Sequence, residues 1–300
     1  MRRILALTLA LLAAYAPANA QDRSQIGTGR LFTNDFFGDG DDRWRTGSFV
    51  YSHVRARAPY SGDEAFGDLI ELRFHSQIIA PDAGTPAPGD RPYVGAASLG
   101  AHTYFGYGAA TIGLGADLVA IGPQTGLSSF QSEFHDAFDI PQVQHTDDQL
   151  GDRILLNGAA SVTWLHNLGG AAQFRPFVEA LAGTEDLIRL GADVVIGPIG
   201  QGNLLLRDTV TGQLYTGTEQ VASGVSFVLG ADIASVFDSE FLPQERGYSA
   251  LETRARARGG VHWQLAERAS LFYGATYLGP EFSGQEDGQI VGSLKLNFNF

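Results

Sequence analysis

The clearest pattern in the chain is a strict alternation of apolar and polar residues at its C-terminus. Four apolar side chains alternate there with three polar ones: Leu294, Lys295, Leu296, Asn297, Phe298, Asn299 and Phe300. A period of two predicts a β-strand with one apolar and one polar face. A soluble β domain turns the apolar face to its core, whereas an outer-membrane barrel turns it to the lipid and lines its lumen with the polar face.

Strand-like segments recur along the rest of the chain. There are about twelve of them: residues 27–36, 46–57, 67–79, 93–106, 110–122, 153–167, 174–183, 187–197, 223–236, 249–264, 269–279 and 288–300. Closed single-chain barrels of bacterial outer membranes have an even number of strands. Most segments also reach the roughly 9–11 residues that a tilted strand needs to cross a bilayer. We therefore predict an all-β fold, an antiparallel transmembrane β-barrel of about twelve strands.

Residues 128–139 break this pattern and have the periodicity of a helix. Apolar side chains recur there every four residues, at Phe130, Phe134 and Phe138. Ser128 and Gln131 have the spacing of a capping box at a helix start, and Gln131 and His135 lie one turn apart on a neighbouring face. A short helix with a polar pair on a β scaffold predicts a functional site at the rim of the barrel.

The first twenty residues have the composition of a secretory signal peptide. Arg2 and Arg3 precede an apolar run over residues 4–14, and residues 18–20 (Ala-Asn-Ala) form a small-residue cleavage site. The run is shorter than the roughly 20 residues of a membrane-spanning helix. We predict that residues 1–20 are removed on export and that residues 21–300 form one barrel domain in the bacterial outer membrane.

Composition supports the barrel and excludes one class of partner. The chain has 38 glycines, 19 phenylalanines and no cysteine, a composition typical of β proteins without disulfides. Its net charge is 20 − 33 = −13, and loss of the two arginines of the signal peptide makes it −15. Nucleic acid requires a basic surface, so it is not an expected partner. An anionic lipid stays compatible with this charge if divalent cations mediate the contact.

The strand count also predicts which segments meet. If the N-terminus lies in the periplasm, the first strand ends at the outer rim near Asn34 and Asp35, and the second begins there near Thr46. The third strand ends there before Arg91, and the fifth ends before the helix with Gln131 and His135. Residues 198–222 fall at the opposite, periplasmic end. The polar residues of four separated segments are therefore predicted to converge at one rim.

Four short motifs follow one another in the first half of the chain. They are Thr33-Asn34-Asp35, residues 89–95 (Gly-Asp-Arg-Pro-Tyr-Val-Gly), Gly122-Pro123 with Gly126, and the Gln131/His135 pair. With the strand layout and the terminal Phe300, they make the chain resemble the lipid A 3′-O-deacylase (LpxR-like) family of outer-membrane proteins. The resemblance implies a twelve-stranded barrel with a calcium-dependent esterase site at its outer end. Its substrate would be lipid A of lipopolysaccharide, which would lose the acyloxyacyl group at its 3′ position.

The resemblance also implies roles for particular residues. His135 is the expected base, because histidine takes a proton from water near neutral pH. Gln131 is expected to orient His135 or to hold the oxyanion of the ester. Asn34 and Asp35 offer oxygen ligands for Ca²⁺, which would polarise the ester carbonyl.

One motif departs from the family pattern. The family has Tyr-Thr-x-Gly at the start of the second strand, where this chain has Trp44-Arg45-Thr46-Gly47. A shift of one residue along a strand moves a side chain to the other face. Either a local bulge lets Thr46 act as the catalytic threonine, or the site is altered. Arg45, at the family's threonine position, and Arg91, beside a lysine-free loop 80–90, are expected to bind the substrate.

Other interpretations of these residues stay open. Asn34 and Asp35 could form only a turn, and Asp39, Asp41 and Asp42 are better explained as a solvated acidic turn than as a calcium loop. Asp90 and Arg91 fit a structural ion pair. The alternative function is a non-catalytic structural or pore-like barrel, and a weaker one is an esterase acting on phospholipids.

Overall fold

The computed structural model describes residues 23–82, 90–137, 139, 148–218, 223–266 and 269–298. The chain forms fifteen strands within these ranges: β1 (Ser24–Asn34), β2 (Trp44–Ala56), β3 (Leu69–Ala80), β4 (Val94–Tyr107), β5 (Ala110–Ile121), β6 (Arg153–Trp164), β7 (His166–Gly169), β8 (Ala172–Ala182), β9 (Glu185–Ile196), β10 (Leu205–Arg207), β11 (Leu214–Thr216), β12 (Gly224–Ser239), β13 (Thr253–Ala266), β14 (Ala269–Leu278) and β15 (Gln289–Phe298). One α-helix, α1, spans Leu127–Ala137. None of the described helices is long and apolar enough to cross a membrane.

Twelve of the strands close into one antiparallel barrel, which confirms the predicted fold. The ladder runs from β6 back to β1, continues through β15, β14, β13, β12 and β9 to β8, and closes between β8 and β6. The terminal strands pair with each other, with Phe32 opposite Leu294. Short β7 extends the line of β6 along β8, and β10 and β11 form a separate hairpin.

The alternating pattern of each strand divides its side chains between the lumen and the outside. On β12, Val228, Asp232 and Val236 are buried, whereas Leu229 and Ile233 between them are exposed. The outward face is therefore apolar and the lumen contains the charged residues, as in a membrane barrel.

The segment between β9 and β12 folds into the lumen. This segment was predicted only to lie at the periplasmic end, but its β10–β11 hairpin is enclosed by the barrel wall. The Tyr215 hydroxyl lies 3.0 Å from Ser52 Oγ of β2, and Gln213 Nε2 donates to the carbonyl oxygens of Gly259 and Ala275. Arg207 pairs with Asp193 of β9 at 2.6 Å. Side chains of the hairpin thus have partners on opposite walls, on β2 and β9, and the hairpin acts as a plug.

Small cavities adjoin the plug in the described part of the lumen. Two of these cavities have volumes of about 80 and 100 Å³. Spaces of this size hold a few water molecules. The described structure therefore has side chains and a hairpin where an open pore would need a continuous channel.

Candidate active site

A bulge at the start of β2 decides which side of the wall each of its first residues faces. Trp44 has a left-handed φ of 54°, and the pairing of β2 with β3 skips between Trp44 and Gly47. Regular alternation from the lumenal Ser48 would turn Thr46 to the lumen. The extra residue of the bulge reverses this, so that Arg45 enters the lumen and Thr46 faces the turn after β1. Thr46 therefore faces the outer side of the barrel wall.

The turn after β1 positions Asp35 opposite Thr46. Asn34 caps a 3₁₀ turn over Asp35–Phe37, because its Oδ1 accepts from the Phe36 amide at 3.0 Å. Its Nδ2 donates to the Thr46 carbonyl oxygen at 2.8 Å. Both ends of the Asn34 amide are thus used to join the turn to β2. Its predicted role as a metal ligand stays a prediction.

Two carboxyl groups share the Thr46 hydroxyl. Thr46 Oγ1 lies 2.8 Å from Asp35 Oδ2 and 2.5 Å from Asp42 Oδ1. A hydroxyl has one hydrogen, so both contacts are hydrogen bonds only if one carboxyl carries a proton. Burial and the nearby Asp42 raise the pKa of Asp35 to about 8. Within the described ranges neither carboxyl pairs with an arginine or lysine, and His135 beside Asp42 is the nearest group that can carry a positive charge.

Helix α1 brings its polar pair to the same place. Gln131 and His135 are its two buried residues. The Tyr93 hydroxyl donates to Gln131 Oε1 at 2.9 Å and fixes the amide. His135 Nε2 lies 3.8 Å from Asp42 Oδ2, which is a charge contact when the imidazole is protonated and is too long for a hydrogen bond. The structure therefore brings Asp35, Thr46, Gln131 and His135 together, as the strand count predicted.

The helix starts one residue earlier than the sequence predicted. It begins at Leu127, so that Ser128 lies inside the first turn and not at the capping position. The Leu127 amide instead lies 3.4 Å from Thr125 Oγ1. Phe138, the last residue of the predicted apolar stripe, lies outside the described residues.

The whole site lies on the outer side of the barrel wall. Helix α1 packs on Gly95 of β4, where a Cβ atom would lie 3.2 Å from Leu127 Cβ. Gly95 has the same parity as Leu99, which is exposed on the outward face. The turn after β1 folds outward as well, because Phe37 covers the outward face of Gly292. The polar groups are thus held between the wall and the helix.

The oxygen atoms of the site suit a hard cation such as Ca²⁺. Asp35 and Asp42 are close enough to share one hydroxyl, and Asn34 adjoins them. Ca²⁺ takes six to eight oxygen ligands, including carbonyl groups and water, so two carboxylates supply part of a set. No group of three or more histidine, aspartate or glutamate side chains forms a metal centre among the described residues.

Arg45 and Arg91 lie in the lumen and not beside these groups. Arg45 Nε donates to Glu281 Oε1 at 3.0 Å and its Nη1 donates to Gln77. Arg91 is fully buried and pairs with Glu281 at 2.6 Å, and not with Asp90 as the sequence suggested. Although burial alone would raise it, the pKa of Glu281 is lowered by Arg45, Arg254 and Arg91. The substrate contact predicted for both arginines stays a prediction, since the structure engages them elsewhere.

The site also contains two residues that the sequence did not assign. Asp42 was interpreted as part of a solvated turn, and Tyr93 was only a member of a motif. The signal for Asp42 was its place in the acidic run just before Thr46. The signal for Tyr93 was its place at the start of β4, which the strand count brought to the same rim.

Comparisons with known proteins agree with this architecture. The family model described as "Outer membrane protein LpxR" matches residues 5–300. The solved structure of LpxR from Salmonella typhimurium superposes with a TM-score of 0.72 at 17% identity, covering 91% of this chain and all of that one. Omp33 of Acinetobacter baumannii covers 92% of this chain and 99% of its own, with 8% identity and a TM-score of 0.43. No curated protein matches the chain by sequence.

Proposed function

Since the chain belongs to the LpxR family of outer-membrane proteins, we propose that it is an ester hydrolase that acts on lipid A. The proposed reaction removes the acyl or acyloxyacyl chain at the 3′ position and depends on calcium. The observation that carries the proposal is the set of groups on the outer wall. A buried histidine, an anchored amide and two carboxyl groups, which pair with no arginine or lysine among the described residues, meet there between the wall and helix α1.

Each group has a role in the hydrolysis of an ester. His135 takes a proton from the attacking water and returns it to the departing alkoxide, so that the products are a carboxylic acid and an alcohol. Gln131 donates from its amide nitrogen to the oxyanion, because Tyr93 already engages its oxygen. The Thr46 hydroxyl holds Asp35 and Asp42 in register with each other.

Asp35 and Asp42 would hold the calcium ion, with Asn34 as a third oxygen donor. When bound, the ion would supply positive charge to polarise the ester carbonyl. It would also neutralise the two carboxyl groups, of which Asp35 has its pKa raised by burial and by the nearby Asp42.

Mass spectrometry of lipid A tests the proposal. Lipid A would be extracted from cells with and without the protein, grown with calcium, and from isolated outer membranes treated with a chelator. We expect loss of the 3′ chain only when the protein and calcium are both present. An unchanged acyl pattern in every sample would contradict the proposal and favour the non-catalytic barrel. Fatty acid released from phospholipids alone would favour the phospholipid esterase.

The plug bears on the alternative of a pore. A pore-like protein needs a continuous aqueous path, whereas the β10–β11 hairpin is bonded to opposite walls of the lumen, at Ser52 of β2 and Asp193 of β9. A non-catalytic structural barrel stays the alternative that the lipid A measurement decides.

A further inference from the structure

Helix α1 has its apolar and polar faces in an unusual arrangement. Its buried residues are polar, Gln131 and His135, while two phenylalanines are exposed. Phe130 is 60% exposed and Phe134 is 45% exposed, with their ring centroids 6.3 Å apart. A helix on a water-soluble protein buries its apolar stripe and exposes its polar face. The exposed phenylalanines are therefore suited to an apolar surrounding.

Helical spacing shows where these rings point. Leu127, Phe130 and Phe134 are at positions i, i+3 and i+7, so they form one stripe. Leu127 at the start of that stripe packs on the outward face of Gly95. The stripe therefore continues the apolar outer wall of the barrel. Asp136 is exposed on the side of the helix opposite to this stripe.

The turn that holds Asp35 adds a third aromatic ring. Phe36 follows Asp35 directly and is 73% exposed. It contacts Phe37, which lies on the outward face of β15, with ring centroids 5.5 Å apart. Phe36 on one side of the site and Phe130 with Phe134 on the other form what we call the aromatic shelf.

We propose that the aromatic shelf binds an acyl chain of the lipid whose ester lies at His135. This inference rests on the proposed function and adds to it a surface that determines specificity for the length of the acyl chain, with long-chain lipid esters preferred to short soluble esters. The shelf joins the lipid-facing wall to the polar site, so a chain lying along it brings its own ester bond to the buried histidine. Burial of apolar chain surface against the rings supplies the selectivity for length.

The position of the shelf can be measured without any activity. The chain has no cysteine, so a single introduced cysteine takes a nitroxide label at one place. Labels would be attached to Phe130→Cys, Asp136→Cys and Phe237→Cys in vesicles of phosphatidylethanolamine and phosphatidylglycerol. Phe237 is the membrane control, because it is 65% exposed on the outward face of β12, which does not neighbour β4. Asp136 is the control on another side of the helix, because it is exposed and lies about 120° around the helix from Phe130.

We expect the label at position 130 to collide with dissolved oxygen as the label at 237 does. The label at 136 should be relaxed mainly by a water-soluble nickel complex. If position 130 behaves like position 136, the shelf lies in water and the proposal is wrong.

Kinetics supply the second test. The variant Phe130→Ser with Phe134→Ser would be compared with wild type and with Phe237→Ser. For each we would measure kcat/KM on lipid A in mixed micelles and on a short-chain nitrophenyl ester. We expect the ratio of the long-chain to the short-chain value to fall on the order of 10-fold in the shelf variant, because chain contacts are lost. It should stay at the wild-type value in Phe237→Ser.

The outcomes separate this inference from the proposed function. Equal losses on both substrates would assign the phenylalanines a purely structural role and overturn the proposal. Absence of hydrolysis by the wild-type protein would contradict the proposed function, and the label at position 130 would then decide the location of the shelf alone.

Discussion

Arg45 and Thr46 are adjacent in the chain and lie on opposite sides of the barrel wall, in two polar clusters of different character. On the lumenal side, Arg45, Arg91 and Arg254 surround Glu281 and Glu185, and charges of opposite sign alternate. On the outer side, Thr46 joins two carboxyl groups that have no arginine or lysine partner among the described residues. Buried charges of opposite sign satisfy one another, whereas two carboxyl groups held together share a proton or bind a cation. We therefore propose that the lumenal cluster stabilises the barrel and that the outer cluster carries the chemistry.

The largest expected effect concerns the base of the outer cluster. His135→Ala removes the proton acceptor, and we expect the rate of lipid A hydrolysis to fall about 10²- to 10⁴-fold. The measurement is acyl release from lipid A in mixed micelles. His166→Ala is the control, because His166 is exposed at the opposite end of the barrel. Full activity of a folded His135→Ala protein would remove this residue from the mechanism.

The next effect concerns the stability of the lumenal cluster. Glu281→Ala leaves buried Arg45 and Arg91 without their shared carboxylate, and breaking such a pair costs about 3–5 kcal/mol. We expect the free energy of unfolding in urea and detergent to fall by that amount. Glu286→Ala, an exposed residue of the same loop, should leave it unchanged. Equal stability of the two variants would contradict the structural role of the lumenal cluster.

A third substitution tests whether the outer cluster binds calcium. Asp42→Asn keeps the size of the side chain and removes its charge, so the calcium concentration for half-maximal activity should rise about 10- to 100-fold. Asp41→Asn is the matched control, because Asp41 is exposed and pairs only with Arg43 at 3.3 Å. If both variants show the wild-type calcium dependence, Asp42 does not hold the ion.

The smallest expected effect lies in the plug. Tyr215→Phe removes the hydroxyl that contacts Ser52, and the loss of one hydrogen bond costs about 1 kcal/mol. The measurement is the unfolding midpoint in urea, with Tyr107→Phe as an exposed control. A barrel that conducts ions in planar bilayers with its plug intact would contradict the closed lumen.

The barrel could be predicted from the sequence because its signal is repeated. The period of two in each segment and the count of twelve both survived in the structure. The plug could not be predicted from the sequence, since Arg207 and Gln213 are polar residues that suit a solvated loop equally well. Their partners, Asp193 and the Gly259 carbonyl, lie on distant strands, and no local pattern connects them.

The site was predictable to the extent that it depends on strand direction. Asp35, Gln131 and His135 meet because their segments end at the same rim. The destination of Arg45 was not predictable, because it depends on a bulge whose left-handed residue is Trp44 and not a glycine. The inclusion of Asp42 depends on how the loop before β2 folds back, which its acidic composition does not specify.

The most direct test of a catalytic role for the outer cluster compares Arg45 and Thr46, the two neighbours at the bulge. Thr46→Val and Arg45→Gln would be assayed for lipid A hydrolysis with calcium, with heat-modifiable gel mobility as the check that each barrel has folded. We expect Thr46→Val to lose at least about 10-fold in rate, while folded Arg45→Gln stays within about threefold of wild type. Normal activity in Thr46→Val with a large loss in folded Arg45→Gln would contradict a catalytic role of the outer cluster and assign the chemistry to the lumenal side of the wall.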